Sequence, residues 1–330
     1  MFNKLLLNPG PTNTALMTKI KQFLGTDVCH REQSFKETLS DLKRLILNVG
    51  NINGNVSILA GSGTTALEAM ITSLCPPDTL VIDAGKYGSR AVKIFNTYNI
   101  DCKVLKSKTS EDLSVSRNIK WVYFVENETS TGENYSLDAM IEKFPNAKFF
   151  IDATSSFGAT DYSQFDKKIA ALSFCSNKCM QSTPGLGIVV WKDYLEVKQR
   201  TFFTSLAHYK GDNLPFTLPT QSVAALFYVT KKLSDKNNKT LFNTRRTKII
   251  KALKIVGINC INENPANSII AFVHPKLSYL ELHNFLLARG IVIYSGVPGI
   301  KNSFRISTMS VKFDNKFLKI KEAFHDSCLC

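Results

Sequence analysis

The sequence predicts an α/β protein in which a large domain with a mostly parallel sheet precedes a small α+β domain. The first observation is a series of short apolar runs separated by helical stretches. Strands that are apolar on both faces are typical of a parallel sheet covered by helices on both sides. The second observation is a change of pattern after residue 220. We therefore expect residues 1–245 to form the large domain with the N-terminal segment, and residues 246–330 to form the small domain.

The elements of the large domain alternate along the chain. Residues 56–60 form a short buried strand that ends at two closely spaced glycines, and residues 65–74 carry apolar side chains at helical spacing. The remaining predicted elements are strands at 80–82, 121–125 and 149–151, a helix through 91–95 and a returning strand at 188–191.

The last third of the chain begins with two long helices. We predict helices at 222–233 and 241–256, and a mixture of strands and helices after them. These later elements are strands at 269–273, 291–294 and 304–307 and helices at 279–289 and 315–324. The mixture predicts a second, smaller α+β unit.

Composition narrows the possible partners. The formal charge of +14 arises from 41 Lys and Arg against 27 Asp and Glu. It favours anionic partners, but the basic residues are scattered, so we expect a small anionic substrate and no nucleic acid. No apolar run approaches the roughly 18–20 residues of a membrane span, and we expect no membrane partner. The eight cysteines lack metal-binding spacing, which predicts a cytoplasmic protein with reduced thiols and no metal.

Polar and glycine-rich segments follow several of the predicted strands. Residues 61–64, Gly-Ser-Gly-Thr, lie where a strand passes into a helix. Free backbone N–H groups and two hydroxyls can hold a phosphate there. Tyr87 follows the next strand, where its ring could stack on a flat ligand. Residues 128–132, which include Ser130, follow the strand at 121–125, at the sheet edge where open α/β sheets bind ligands.

An acid and a lysine complete this edge. Asp152 closes the apolar strand at 149–151, and Lys178 follows another strand in a loop that begins with Ser176. A buried acid is costly unless it is paired, and a protonated pyridine nitrogen is a suitable partner. A lysine that forms a Schiff base and an acid that pairs with the ring nitrogen are what pyridoxal phosphate requires. The sequence therefore predicts a pyridoxal phosphate site.

Two arginines are candidates for binding an anionic substrate group. Arg305 lies in the predicted strand 304–307, and Arg31 lies near the N-terminus between His30 and Glu32. The planar guanidinium fork binds a carboxylate or a phosphonate through two hydrogen bonds.

Taken together, these segments resemble the class V aminotransferases of the fold-type I pyridoxal phosphate superfamily, and within it the 2-aminoethylphosphonate–pyruvate transaminases. The matching segments are 8–12, 61–64 with 67–69, 128–132, 152–158, 176–181 with 184–187, 216–220 and 304–306. They cover nearly the whole chain in order. The narrower resemblance depends on Ser-Asn-Lys-Cys-Met-Gln at 176–181 and Phe-Thr-Leu-Pro-Thr at 216–220.

The resemblance implies a transaminase that interconverts 2-aminoethylphosphonate and pyruvate with phosphonoacetaldehyde and L-alanine, in either direction. Lys178 would carry the cofactor and shuttle protons, and Asp152 would pair with the pyridine nitrogen. The other residues that we expect at the cofactor are Ser62, Gly63, Thr64, Tyr87, Ser130, Ser176 and Thr217, and those at the substrate are Gly10, Arg31 and Arg305. Thr217 would reach the cofactor phosphate of a partner subunit, which implies a homodimer with shared sites.

Other functions remain open. The nearest is a class V transaminase of the alanine or serine–glyoxylate or pyruvate type, or one that acts on another small anionic amine, because Arg305 suits a carboxylate as well as a phosphonate. A cysteine desulfurase usually has histidines where this chain has Tyr87 and Asn177. A binding protein on a degenerate transaminase fold is a non-enzymatic alternative.

Overall fold

The computed structural model describes residues 4–25, 27–211, 213–234 and 238–329. Within them, the helices are α1 (Leu16–Phe23), α2 (Gln33–Gly50), α3 (Gly63–Leu74), α4 (Lys86–Thr97), α5 (Leu137–Lys143), α6 (Thr220–Ser234), α7 (Asn238–Ile255), α8 (Tyr279–Ala288) and α9 (Phe317–Leu329). The strands are β1 (Leu5–Leu6), β2 (Asn55–Gly61), β3 (Thr79–Asp83), β4 (Cys102–Lys106), β5 (Trp121–Val125), β6 (Asn127–Glu128), β7 (Glu133–Asn134), β8 (Lys148–Asp152), β9 (Ile169–Cys175), β10 (Gly185–Trp191), β11 (Asn259–Cys260), β12 (Ile269–Val273), β13 (Ile291–Val292), β14 (Tyr294–Ser295) and β15 (Ser303–Ser307).

The central sheet has seven strands in the order β2-β10-β9-β8-β5-β3-β4. The neighbours from β9 to β4 are parallel, and β10 is antiparallel to both β9 and β2. Strand β2 therefore runs in the same direction as β9, and β10 is the only reversed strand of this sheet. The predicted α/β class with a mostly parallel sheet and a returning strand is confirmed.

Both faces of the central sheet are covered by apolar side chains. Successive residues of a strand point to opposite faces, so Phe149 and Ile151 of β8 join one core and Phe150 joins the other. The first core contains residues of α2, α5 and α6, and the second contains residues of α3 and α4. Each fully buried large side chain contributes about 1.5–3 kcal/mol to folding. This double burial explains the all-apolar runs of the sequence.

A second sheet of four antiparallel strands, β11-β12-β15-β14, forms near the C-terminus. The predicted strand at 291–294 is divided in the structure. Its first part, β13, pairs with the N-terminal strand β1, whereas β14 pairs with β15. Leu5 and Leu7 consequently pack in the same core as Phe304 and Phe324. The N-terminal segment thus contacts the C-terminal unit, and the division of the chain after residue 245 stays a prediction.

Some elements have no clear signal in the sequence. Strand β4 lies at the edge of the central sheet, and most of its residues are exposed, so it lacks the apolar run of the inner strands. Helix α1 exposes Leu16 and Phe23, which obscures its helical pattern. Among the described residues, no helix is long and apolar enough to cross a membrane. No cluster of three or more metal-binding side chains was found in those residues either.

Strand β10 packs tightly against the start of α3 at Gly187. A Cβ atom at Gly187 would lie 2.5 Å from the carbonyl oxygen of Ser62 and 3.1 Å from the amide nitrogen of Ala66. Both contacts are to backbone, so a methyl group there would push the strand away from the turn that begins α3. The absence of a side chain at Gly187 thus sets the position of that turn.

We predict that Gly187→Ala lowers the free energy of unfolding by about 1–3 kcal/mol, because overpacking forces a backbone shift. Urea denaturation measures the change. The control is Ile188→Val on the same strand, which removes one buried methyl group and costs about 0.5–1.5 kcal/mol without moving the turn. An unchanged unfolding free energy for Gly187→Ala would show that the contact is not tight.

Candidate active site

A cleft of about 230 Å³ opens at the carboxyl ends of the strands that run in one direction. Of the predicted site residues, those that line it are Gly10, Ser62, Gly63, Thr64, Tyr87, Asp152 and Lys178. They come from the segments that follow β2, β3, β8 and β9, with Gly10 from the N-terminal segment. The direction of the strands brings these distant residues together, as expected from the sequence.

Asp152 is the last residue of β8 and lies in the middle of the sheet. It pairs with Val125 of β5 and Ser173 of β9, and it is only 5% exposed. One carboxylate oxygen accepts a hydrogen bond of 2.9 Å from the backbone N–H of Thr154. Burial raises the pKa of the Asp152 carboxyl, although the hydrogen bonds from Thr154 and the charge of Lys178 oppose the rise. A cationic ligand at this position would favour the ionised form.

Lys178 lies in the turn between β9 and β10. Its Nζ is 5.8 Å from the centre of the Tyr87 ring, so the amine and the aromatic ring share the cleft. A Cβ atom at Gly10 would lie 3.5 Å from Cε of Lys178. Gly10 also has a φ of +138°, a backbone conformation that glycine adopts readily. Gly10 therefore leaves space beside the lysine side chain.

The turn between β2 and α3 forms the predicted phosphate-binding end of the cleft. The backbone N–H of Ser62 donates to Oγ1 of Thr65 over 3.0 Å, which fixes the start of the helix. Oγ1 of Thr64 accepts a hydrogen bond of 3.0 Å from the guanidinium of Arg90. Because helix α3 begins here, the positive end of its dipole faces this part of the cleft.

Glu128 holds the segment that carries Tyr87. One carboxylate oxygen of Glu128 accepts hydrogen bonds from the backbone N–H groups of Tyr87 and Gly88, at 3.0 and 3.1 Å. The other accepts from the backbone N–H of Ser130 at 3.1 Å and from its hydroxyl. The hydroxyl of Ser130 in turn accepts from the backbone N–H of Lys86 at 2.9 Å. A buried carboxylate thus fixes the N-terminus of α4, where a negative charge is favourable.

Arg305 lies next to the cleft rather than in its lining. It is 7% exposed, and its guanidinium donates to the backbone carbonyls of Ser295, at 2.6 Å, and Thr129. Cζ lies 4.9 Å from the centre of the Tyr294 ring. Burial lowers the pKa of Arg305. Thr129 itself lines the cleft, so Arg305 connects the C-terminal sheet to the cleft wall.

The other predicted residues lie elsewhere. The hydroxyl of Ser130 is used in the contacts with Glu128 and Lys86. The buried Ser176 hydroxyl donates to the carbonyl of Thr183 over 2.6 Å, within the lysine loop. Thr217 and Arg31 are exposed, and neither lines the cleft. Their proposed contacts with cofactor or substrate stay predictions.

The structure adds cleft residues that were not among the individually named site residues. Arg90, Asn127 and Thr129 line the cleft, as does Thr154. Arg90 follows Tyr87 by one turn of helix, but an arginine on a helix looks like any solvated charge in a sequence. Thr129 and Thr154 fall within the segments 128–132 and 152–158 that the sequence had singled out, and Asn127 directly precedes the first of these segments.

Comparisons with known proteins support the resemblance. No protein-family model matches the chain. It is 26% identical over 358 residues to the 2-aminoethylphosphonate–pyruvate transaminase of Bacteroides fragilis, with 98% of both chains covered. It is 27% identical over 340 residues to the protein of that name from Vibrio cholerae, with 92% of both covered. A bifunctional phosphonoacetaldehyde hydrolase/aminoethylphosphonate transaminase of Clostridioides difficile is 28% identical over 341 residues. This chain spans only about half of that longer relative, 53% of its length.

Solved structures agree on the architecture. An aspartate aminotransferase from Thermus thermophilus superposes with a TM-score of 0.87 at 23% identity, with 98% of both chains covered. An alanine–glyoxylate aminotransferase from Nostoc sp. superposes with a TM-score of 0.86 at 17% identity, over 100% of this chain and 96% of that one. The chain has the fold-type I aminotransferase fold.

The cleft of this aminotransferase fold fits pyridoxal phosphate. Asp152 is a buried carboxylate whose hydrogen bonds come from the neutral residue Thr154, and a protonated ring nitrogen would give it a positively charged hydrogen-bond donor. Oδ1 of Asn127 and Oγ1 of Thr129 are buried and have no hydrogen-bond partner within the part of the chain that the structure describes, and both residues line the cleft. A polar ligand in the cleft could satisfy both atoms.

Proposed function

We propose that this protein is a pyridoxal-phosphate-dependent transaminase that interconverts 2-aminoethylphosphonate and pyruvate with phosphonoacetaldehyde and L-alanine. The observation that carries the proposal is the placement of Lys178 and Asp152 in one cleft of an aminotransferase fold. The substrate follows from the relatives that match over nearly the full chain and bear the name of this activity.

Different residues of the cleft would bind different parts of the cofactor. Ser62, Gly63 and Thr64 would hold its phosphate, Tyr87 would contact its ring, and Asp152 would pair with its ring nitrogen. When bound, pyridoxal phosphate supplies an aldehyde for amines and a ring that accepts electron density. The ionised carboxylate of Asp152 would keep the ring nitrogen protonated, and the buried position of this carboxylate would strengthen the pairing.

Lys178 is the only described lysine that lines the cleft, and it would act as both attachment point and base. As a free amine, its Nζ can take a proton from the carbon that bears the substrate nitrogen and return it at a neighbouring atom. This is general acid–base catalysis by one group, which commonly contributes about 10²–10⁴-fold to the rate. Gly10 would leave the methylene chain of Lys178 room to move between these positions.

Arg305 is the candidate for the acidic group of the substrate. Its guanidinium is buried, and no ion pair within the described residues includes it. A buried cation that forms no ion pair binds an anion favourably, because the charge has already been removed from water. The substrate anion would compete with the carbonyls of Ser295 and Thr129 for the guanidinium.

We predict that the purified protein transaminates 2-aminoethylphosphonate with pyruvate, and that Lys178→Ala abolishes turnover and the visible absorbance of the bound cofactor. The physical reason is that no other described lysine lines the cleft. Coupled alanine detection measures turnover, and absorbance measures cofactor attachment. The matched control is Lys301→Ala, which removes an exposed lysine and should leave both unchanged.

The same assay separates the alternative substrates. If the enzyme were of the alanine or serine–glyoxylate type, L-alanine or L-serine would serve as the amino donor in place of 2-aminoethylphosphonate, with glyoxylate as the acceptor. A preference for these amines over 2-aminoethylphosphonate would overturn the substrate assignment and keep the reaction type. Turnover by Lys178→Ala, or a wild-type protein that binds no pyridoxal phosphate, would overturn the reaction type as well.

We also propose that the protein is a homodimer with shared active sites. Phe202 and Phe203 are exposed, at 75% and 40%, and their rings contact Phe216, which precedes Thr217. Helix α1 exposes Phe23 as well, and its Gln22 contacts Ser222 of α6, on the side of the molecule where Thr217 leads into that helix. Exposed apolar groups that lie close together are typical of a protein–protein interface. The expected cytoplasmic location stays a prediction.

We predict that Phe202→Glu yields a monomer at concentrations where the wild type is a dimer, because it places a charge in the apolar interface. Sedimentation velocity measures the assembly state. Leu318→Glu is the control, since Leu318 is similarly exposed, at 74%, but lies on α9. A wild type that sediments as a monomer would refute the dimer.

A further inference from the structure

Arg90 is a positive charge in the cleft that the proposed reaction does not use. It lies on α4 and lines the cleft together with Ser62, Gly63 and Thr64. No ion pair within the described residues includes Arg90. Its guanidinium instead lies 4.8 Å from the centre of the Tyr87 ring and donates to Thr64.

The hydrogen bond from Arg90 determines what the Thr64 hydroxyl can do. Oγ1 of Thr64 accepts from the Arg90 guanidinium over 3.0 Å, so one of its lone pairs is occupied. The hydroxyl hydrogen then remains available as a donor. Thr64 can therefore donate this hydrogen to an anion bound at the start of α3.

The electrostatics of this end of the cleft also call for an anion. The N-terminus of α3 carries the positive end of a helix dipole, and Arg90 adds a full positive charge beside it. Both favour a negative ligand beside them, because Asp152, the cleft acid on which the charge of Arg90 acts, forms no ion pair with it within the described residues. Arg305, in contrast, contacts Thr129 on the wall formed by a different segment. The two arginines thus suit two different anions.

We propose that Arg90 anchors the phosphate of the cofactor, by supplying positive charge and by orienting the Thr64 hydroxyl toward it. The inference rests on the proposed function, because it assumes that pyridoxal phosphate is the cofactor. Arg90 also contacts Tyr87, so it links the phosphate-binding turn to the residue that would contact the cofactor ring. The substrate phosphonate would be left to Arg305.

The experiment compares pyridoxal phosphate with pyridoxal, which lacks the phosphate. The dissociation constants of both are measured on the cofactor-free full-length protein, for the wild type and for Arg90→Gln and Arg90→Lys. We expect Arg90→Gln to raise the dissociation constant of pyridoxal phosphate by about 10- to 100-fold, because the substitution removes a charged hydrogen bond. The dissociation constant of pyridoxal should change less than about threefold. Arg90→Lys keeps the positive charge, so its dissociation constant for pyridoxal phosphate should lie between those of the wild type and Arg90→Gln.

The control is Arg44→Gln, which removes an exposed arginine on α2 and should change neither constant. If Arg90 had a purely structural role, Arg90→Gln would weaken the binding of both ligands equally, and this result would overturn the inference. An unchanged ratio of the two constants in Arg90→Gln, with a raised KM for 2-aminoethylphosphonate, would assign Arg90 to the substrate instead. A wild type that binds neither ligand would refute the proposed function itself, which distinguishes the two failures.

Discussion

The need of a buried carboxylate for a positive partner is the constraint on which this site depends. Asp152 ends the central strand β8 and is almost completely removed from water. Its hydrogen bond from Thr154 satisfies one oxygen but supplies no full charge. An isolated buried charge is so costly that a group in this position changes its pKa or finds a partner. A protonated pyridine ring is such a partner, and the Lys178 amine in the same cleft is what would hold the ring there.

The common direction of the strands places the other groups of the active site beside Asp152. Because β2, β3, β5, β8 and β9 end at the same edge, each following segment contributes a different group to one cleft. Glu128 then fixes the backbone beneath Tyr87, and Arg305 ties the C-terminal sheet to Thr129. Two arginines that form no ion pair within the described residues flank the cleft. Arg90 contacts Thr64 and Arg305 contacts Thr129, and this placement suits a cofactor phosphate beside the first arginine and a substrate anion beside the second.

The sequence was sufficient for the features that depend on local pattern. Apolar strands at 121–125 and 149–151 predicted the inner sheet. Asp152 ends one inner strand, and Lys178 lies in the turn that follows another. Features that depend on distant contacts had no such signal. Arg305 meets Thr129 across 176 residues, and β1 joins β13 from the opposite end of the chain. Arg90 was missed because its role arises only when α4 is packed beside the start of α3.

The most direct test of this account is the activity of Asp152→Asn with two cofactors. The amide keeps the shape of the carboxylate but has no negative charge to stabilise a protonated ring nitrogen, and breaking such a buried charge pair costs about 3–5 kcal/mol, or about 100-fold or more in rate. We expect this loss of activity with pyridoxal phosphate. With pyridoxal phosphate methylated at the ring nitrogen, the nitrogen carries a permanent positive charge, and we expect most of the activity of Asp152→Asn to return. Full activity of Asp152→Asn with unmodified pyridoxal phosphate would contradict the central role of the carboxylate.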